Sequence, residues 1–149
     1  MKNVQKPVAV TIGEPAGIGP EISLKAWKHK ETISSKFFFI GDIENLYKYN
    51  KILKLEVKIA QIENPSDIDK IPSDSLAVIN HKLAKNSKPG LPSIENASSL
   101  INCIDKAAAL VKSKDATAIV TNPLQKQTLY EGGFNFLGVT EFLGKKFSN

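Results

Sequence analysis

Three short segments hold the side chains best suited to chemistry. The first is Gly13-Glu14-Pro15-Ala16-Gly17-Ile18-Gly19-Pro20-Glu21. Glycines let a ligand approach the main chain, and the free N–H groups of a helix start can face an anion. Glu14 is therefore a candidate cleft contact. The glycines at 13, 17 and 19 do not give G-x-G-x-x-G. They do not give G-x-x-x-x-G-K-[ST] either, since Ile18 stands where the second P-loop glycine would be. On spacing alone, a tight turn that packs helix on sheet is favoured over a nucleotide cradle. The second segment is Thr121-Asn122-Pro123-Leu124-Gln125-Lys126. Its hydroxyl, amide and ammonium could hold a phosphate or carboxylate. The plain alternative is helix capping beside a solvated lysine. The third is Gly138-Val139-Thr140-Glu141-Phe142, where Thr140 could cap a helix or hydrogen-bond a ligand. His29 and His81 are far apart and lack partners at metal-ligand spacing, so surface positions are expected for both. Cys103 falls on the apolar face of an expected helix and reads as a buried, inert thiol.

The elements that position these segments alternate. Val8 to Ile12 is a short β-branched run that reads as a buried strand ending at Gly13. Pro20 and Glu21 suit the first turn of a helix that frays near Lys30. Phe37 to Ile40 is a second strand, with a short helix from Ile43 to Tyr49. Leu55 to Ile62 alternates and suits a strand near an edge, Asn64 to Ser75 reads as loop, and Leu76 to Ile79 reads as another buried strand. His81 to Pro92 reads as loop. Ser93 is expected to cap the longest helix, whose stripe runs through Ala97, Leu100, Ile101, Ile104, Ala107, Ala108 and Val111. Thr117 to Thr121 is the last strand. Asn122-Pro123 is expected to open a helix that ends at Glu131-Gly132-Gly133, and Thr140 to cap the final one. The pattern predicts an α/β fold: a mostly parallel sheet with helices on both faces, with no internal boundary across residues 1–149.

The bulk numbers exclude some functions. The chain has 149 residues, a net charge of +5 and a pI near 9.2. All 20 basic residues are lysine and they are scattered, whereas nucleic-acid readers favour arginine forks in a stripe. No nucleic acid and no membrane partner is expected. The polar start from Met1 to Gln5 has no apolar signal core, which suggests a cytoplasmic protein.

Together the motifs resemble one family, the 4-hydroxythreonine-4-phosphate dehydrogenases. The resemblance is strongest at Val8 to Leu24, at Ile40-Gly41-Asp42 and from Ala118 to Leu143. The Gly-Ile-Gly-Pro-Glu portion is also similar to the opening loop of isocitrate and isopropylmalate dehydrogenases, which share the wider fold. The resemblance implies oxidation of the C3 hydroxyl of 4-phospho-hydroxythreonine with NAD or NADP. Loss of CO2 then gives 3-amino-2-oxopropyl phosphate, a precursor of pyridoxine phosphate. It implies a homodimer and a divalent metal whose histidine ligands lie beyond Asn149, so no residue here takes a metal role. This chain would be the N-terminal part of a two-lobed enzyme and inactive alone. Thr140 matches a substrate-contacting threonine, but Val139 stands where the family has histidine. The alternatives are a related decarboxylating dehydrogenase for another hydroxy acid, or a non-catalytic remnant that binds an anion or a partner.

Overall fold

The computed structural model describes residues 5–148. Five parallel strands form one sheet: β1 (Val8–Thr11), β2 (Phe37–Gly41), β3 (Lys58–Ile62), β4 (Ser75–Asn80) and β5 (Ala118–Thr121). Their order across the sheet is β3-β4-β2-β1-β5. The register places Val8 beside both Phe37 and Ala118, and Thr11 beside both Ile40 and Thr121. Among the described residues five α-helices connect and flank the strands: α1 (Gly19–Lys28), α2 (Ile43–Ile52), α3 (Ala97–Lys112), α4 (Lys126–Glu131) and α5 (Val139–Phe147).

The order of the strands dictates which face each helix covers. The chain steps one way from β1 to β2 to β3 and the other way from β4 to β5. With right-handed crossovers, this sends α1 and α2 to one face and α3 to the other. Accordingly α1 packs on α2, and α3 packs across β1, β2 and β5. The expected parallel sheet with helices on both faces is present. Because both faces are covered, the central strands are apolar throughout rather than alternating. Phe38, Phe39, Ile40, Leu76 and Val78 are fully buried. The α3 stripe buries Leu100, Cys103, Ile104, Ala107 and Ala108 against the opposite face.

Five local expectations are corrected. Ser93 does not cap α3: a 3-10 turn, Ile94–Asn96, precedes the helix, and the Ser93 hydroxyl donates to Glu95. Asn122-Pro123 does not open α4, which starts four residues after Asn122 behind Gln125. Thr140 lies inside α5, whose N-cap is Gly138. The stretch from Asn64 to Ser75 contains a 3-10 helix, Pro65–Lys70. There the Asn64 side chain and Asp67 satisfy each other's main chain in a capping box. The strand expected from Leu55 is delayed to Lys58, since Lys54 and Glu56 both take positive φ.

The sheet is unevenly covered. Beside β5, on the α1 face, an open apolar groove of about 380 Å3 is lined by Val10, Ile22, Ile33, Phe37 and Val120. Val120 is half exposed although it lies in a strand.

Candidate active site at the carboxyl ends of β1 and β5

The first two chemical segments, more than 100 positions apart in the chain, form one unit. Pairing of β1 with β5 brings their carboxyl ends together, so the Gly13–Gly19 turn lies against Asn122-Pro123. The Glu14 N–H donates to the Pro123 carbonyl at 2.8 Å. Gly13 has a φ of +69°, and a Cβ there would lie 2.6 Å from that carbonyl oxygen and 2.7 Å from Asn122 Cβ. At Gly19 a Cβ would collide with the Ile12 carbonyl and lie 3.0 Å from Asn122 Cβ. The spaces these glycines leave are filled by protein. They serve close backbone packing rather than an open cradle.

Asn122 is buried, and its amide donates to the Ser23 hydroxyl at 2.8 Å. It is thus held by α1, not by a helix of its own. The turn is clamped from its other side as well. The Asn45 amide donates to the Pro15 carbonyl, the Tyr49 hydroxyl to the Gly17 carbonyl, and the Gly90 N–H to the Ala16 carbonyl. None of Ser23, Asn45 or Tyr49 carries a local sequence signal for this task, because every partner is distant in the chain.

Glu14 folds back under its own turn. It is 6 % exposed, and its Oε1 accepts from the Ala16 N–H at 3.0 Å while its Oε2 has no partner among the described residues. Burial pushes its carboxyl above the ordinary carboxylate range, and the Ala16 N–H opposes this in part. Tyr49 is raised too, first by burial and then by the negative charges of Glu14 and Glu21.

On the other side of Asn122 lies a cavity of about 300 Å3, at the low end of ligand-pocket sizes. Thr121, Asn122, Lys126 and Val139 all line it, with Leu129, Tyr130 and Phe134 supplying apolar wall. The structure therefore joins the second and third chemical segments around one space. Thr140 lies outside this lining and is exposed on the second residue of α5. The loop before α5 is held by the Tyr130 hydroxyl, which donates to the Leu137 carbonyl, and by Glu141, which accepts from the Leu137 N–H. Lys126 makes no ion pair among the described residues. A lone ammonium, a hydroxyl and a hydrophobic wall suit a small anionic ligand.

The remaining candidates stand apart. His29 is exposed at the end of α1, and His81 follows β4. No group of three His, Cys, Asp or Glu among the described residues could hold a metal ion. Cys103 is buried, and burial, with the Asp42 charge nearby, pushes its thiol up to about 12. No helix among the described residues is long and apolar enough to cross a membrane.

A strand-end crevice with one ammonium fits many enzymes, and comparison with known proteins narrows the field. The family model described as pyridoxal phosphate biosynthetic protein PdxA matches residues 33–149. The chain belongs to the PdxA family. Among PdxA relatives, the 4-hydroxythreonine-4-phosphate dehydrogenase of Xanthobacter autotrophicus is 36% identical over 141 residues, covering 94% of this chain and 40% of the relative. That of Methylorubrum populi is 39% identical over 148 residues, covering 96% of this chain and 42% of the relative. The solved 4-hydroxythreonine-4-phosphate dehydrogenase of Klebsiella pneumoniae superposes with a TM-score of 0.82 at 30% identity, over 95% of this chain and 44% of that one. A terephthalate 1,2-cis-dihydrodiol dehydrogenase from Burkholderia xenovorans shares the fold, at a TM-score of 0.68 and 16% identity. The chain thus spans about 40% of the length of the curated PdxA relatives it matches.

Proposed function

We propose that this chain forms one wall of the active site of a 4-hydroxythreonine-4-phosphate dehydrogenase, as the N-terminal part of a two-lobed enzyme of vitamin B6 synthesis. The observation that carries this reading is the convergence of Thr121, Asn122, Lys126 and Val139 on one cavity, in a PdxA chain. The Lys126 ammonium and Thr121 hydroxyl suit the phosphate or carboxylate of 4-phospho-hydroxythreonine. Leu129, Tyr130 and Phe134 keep water from its carbon skeleton. Thr140, one residue past the wall, approaches the substrate from the start of α5.

The overall reaction is oxidation of the C3 hydroxyl by NAD or NADP, followed by loss of CO2. The glycine turn, filled by Asn122 and Pro123, offers a dinucleotide no cradle, and the described residues offer a divalent metal no ligand set. This chain's part is therefore to bind and orient the substrate, and the rest of a cytoplasmic homodimer supplies the groups that act on it.

Val139 favours a second reading, a related decarboxylating dehydrogenase for another hydroxy acid. Valine in the cavity wall offers no hydrogen bond where the resemblance expects histidine. The deciding experiment is NAD(P) reduction by the full-length gene product with 4-phospho-hydroxythreonine and divalent metal. Turnover supports the first reading. No turnover there, with turnover on another hydroxy acid in a panel, supports the second.

A further inference from the structure

A second cavity, of about 500 Å3, opens at the carboxyl ends of β2 and β4. Its place follows from topology. β2 leads into α2 on one face, while β4 leads through residues 81–96 to α3 on the other. Where connections of neighbouring parallel strands diverge, a crevice is left that α/β proteins use for ligands. The Pro15–Gly17 turn separates this space from the Lys126 cavity, since Asn45 and Tyr49 hold it from this side.

Three lysines line the cavity: Lys48, Lys51 and Lys82. Lys48 is anchored by donating to the Ser87 carbonyl, and Lys51 and Lys82 make no ion pair among the described residues. Two carboxylates share the wall. Asp42 is already satisfied by protein: one oxygen accepts from the N–H groups of Glu44 and Asn45, and the other from Leu83. Glu44 is exposed in the first turn of α2. The charge available to a ligand is therefore positive. Two further side chains lining the cavity are 4 % exposed and carry a polar atom without a partner among the described residues, Ser87 Oγ and Asn45 Oδ1. A buried polar atom left unpaired is unfavourable, so such atoms point to something that would pair with them. A hydroxyl can donate to a phosphate oxygen, whereas an amide oxygen needs a donor such as a ligand hydroxyl.

We infer that this cavity binds the phosphate of a hydroxylated small molecule, held by Lys48, Lys51, Lys82 and the Ser87 hydroxyl, with Asn45 accepting from a ligand hydroxyl. A sugar phosphate and a nucleotide share this chemistry. The test is calorimetric titration of the full-length gene product with inorganic phosphate, ribose 5-phosphate and ADP at low salt. The two hydroxylated ligands bind more tightly than inorganic phosphate, and whichever of them binds better identifies the source. Lys51 and Lys82 are exposed, so K51Q/K82Q keeps the fold and weakens binding by about tenfold or more. Ser87→Ala weakens it severalfold. The control K28Q/K106Q, at exposed lysines outside the cavity, leaves affinity unchanged. Binding that survives K51Q/K82Q, or that falls equally in the control, overturns the assignment. Equal affinity for all three ligands overturns the hydroxyl contact, and no binding at all overturns the site.

Discussion

Replacing Gly19 by alanine tests whether the glycine turn exists to let β1 and β5 close on each other. The new methyl would meet the Ile12 carbonyl oxygen and would lie 3.0 Å from Asn122 Cβ. Both are atoms of, or fixed to, the main chain, so no flexible side-chain tip can swing aside. Overpacking a filled site costs roughly 1–3 kcal/mol, and the rigid neighbours place this case in the upper half. Restricting the unfolded chain returns about 0.4–1 kcal/mol. The net expectation is a loss of about 2 kcal/mol. For a chain of 149 residues that lowers Tm by about 4–8 °C. The measurement is thermal unfolding followed by circular dichroism, beside Gly144→Ala. A Cβ at Gly144, inside α5, meets nothing within 4 Å, so that variant gains helix propensity and melts slightly higher than the parent. A Gly19→Ala protein that melts at or above the parent would refute the packing role.

Other consequences follow from the same geometry. Lys126→Gln in the full-length gene product raises KM for 4-phospho-hydroxythreonine about tenfold, as loss of one charge-assisted hydrogen bond requires; an unchanged KM removes Lys126 from the substrate site. Val139→His raises turnover on the same substrate, and a flat response there with activity on another hydroxy acid favours the second reading. Glu14 gives a pH signature. Its folded-state pKa lies above the ordinary 4.5, so its contribution to stability is complete below that value and is lost as pH rises through the raised one. Glu14→Gln, which stays neutral, therefore gains on the parent as pH climbs from about 4 to about 7, and urea midpoints that track each other across that range contradict it. The isolated 149-residue chain self-associates through the β5 edge and its apolar groove, and Val120→Lys reduces this in light scattering. A monomeric parent chain sinks that expectation.

What local pattern could reveal, it revealed. The apolar runs at Val8, Phe37 and Leu76 and the α3 stripe are buried where periodicity puts them. The misreadings have more than one cause, and the clearest is a side chain with a strong local signature that a distant partner claims. Asn122-Pro123 has the look of a helix start, yet the Asn122 amide belongs to Ser23. At α3 the cap position falls to Asn96 rather than Ser93, and the Asn96 side chain bonds both main-chain groups of Lys85. At α5 the cap position falls to Gly138, which has no side chain, and Glu141 reaches back to the Leu137 N–H just before it. The candidate site was legible as residue types but not as a place. Thr121, Asn122, Lys126 and Val139 lie in one stretch of the chain, yet they meet only through the turns that link β5, α4 and α5. The lysine cavity was not legible at all, since its lining comes from α2 and from a loop more than 30 residues later.

The bond between Ser23 and Asn122 also sets a timetable. The partners are 99 residues apart. A ribosome adding about 5–20 residues per second delivers Asn122 some 5–20 s after Ser23. For that interval the nascent β1 turn lacks the wall that fills Gly13 and Gly19, and β1 has an open edge where β5 will pair. The first motif to be made is thus among the last to be completed. During that wait the open β1 edge is a template on which a neighbouring chain can pair.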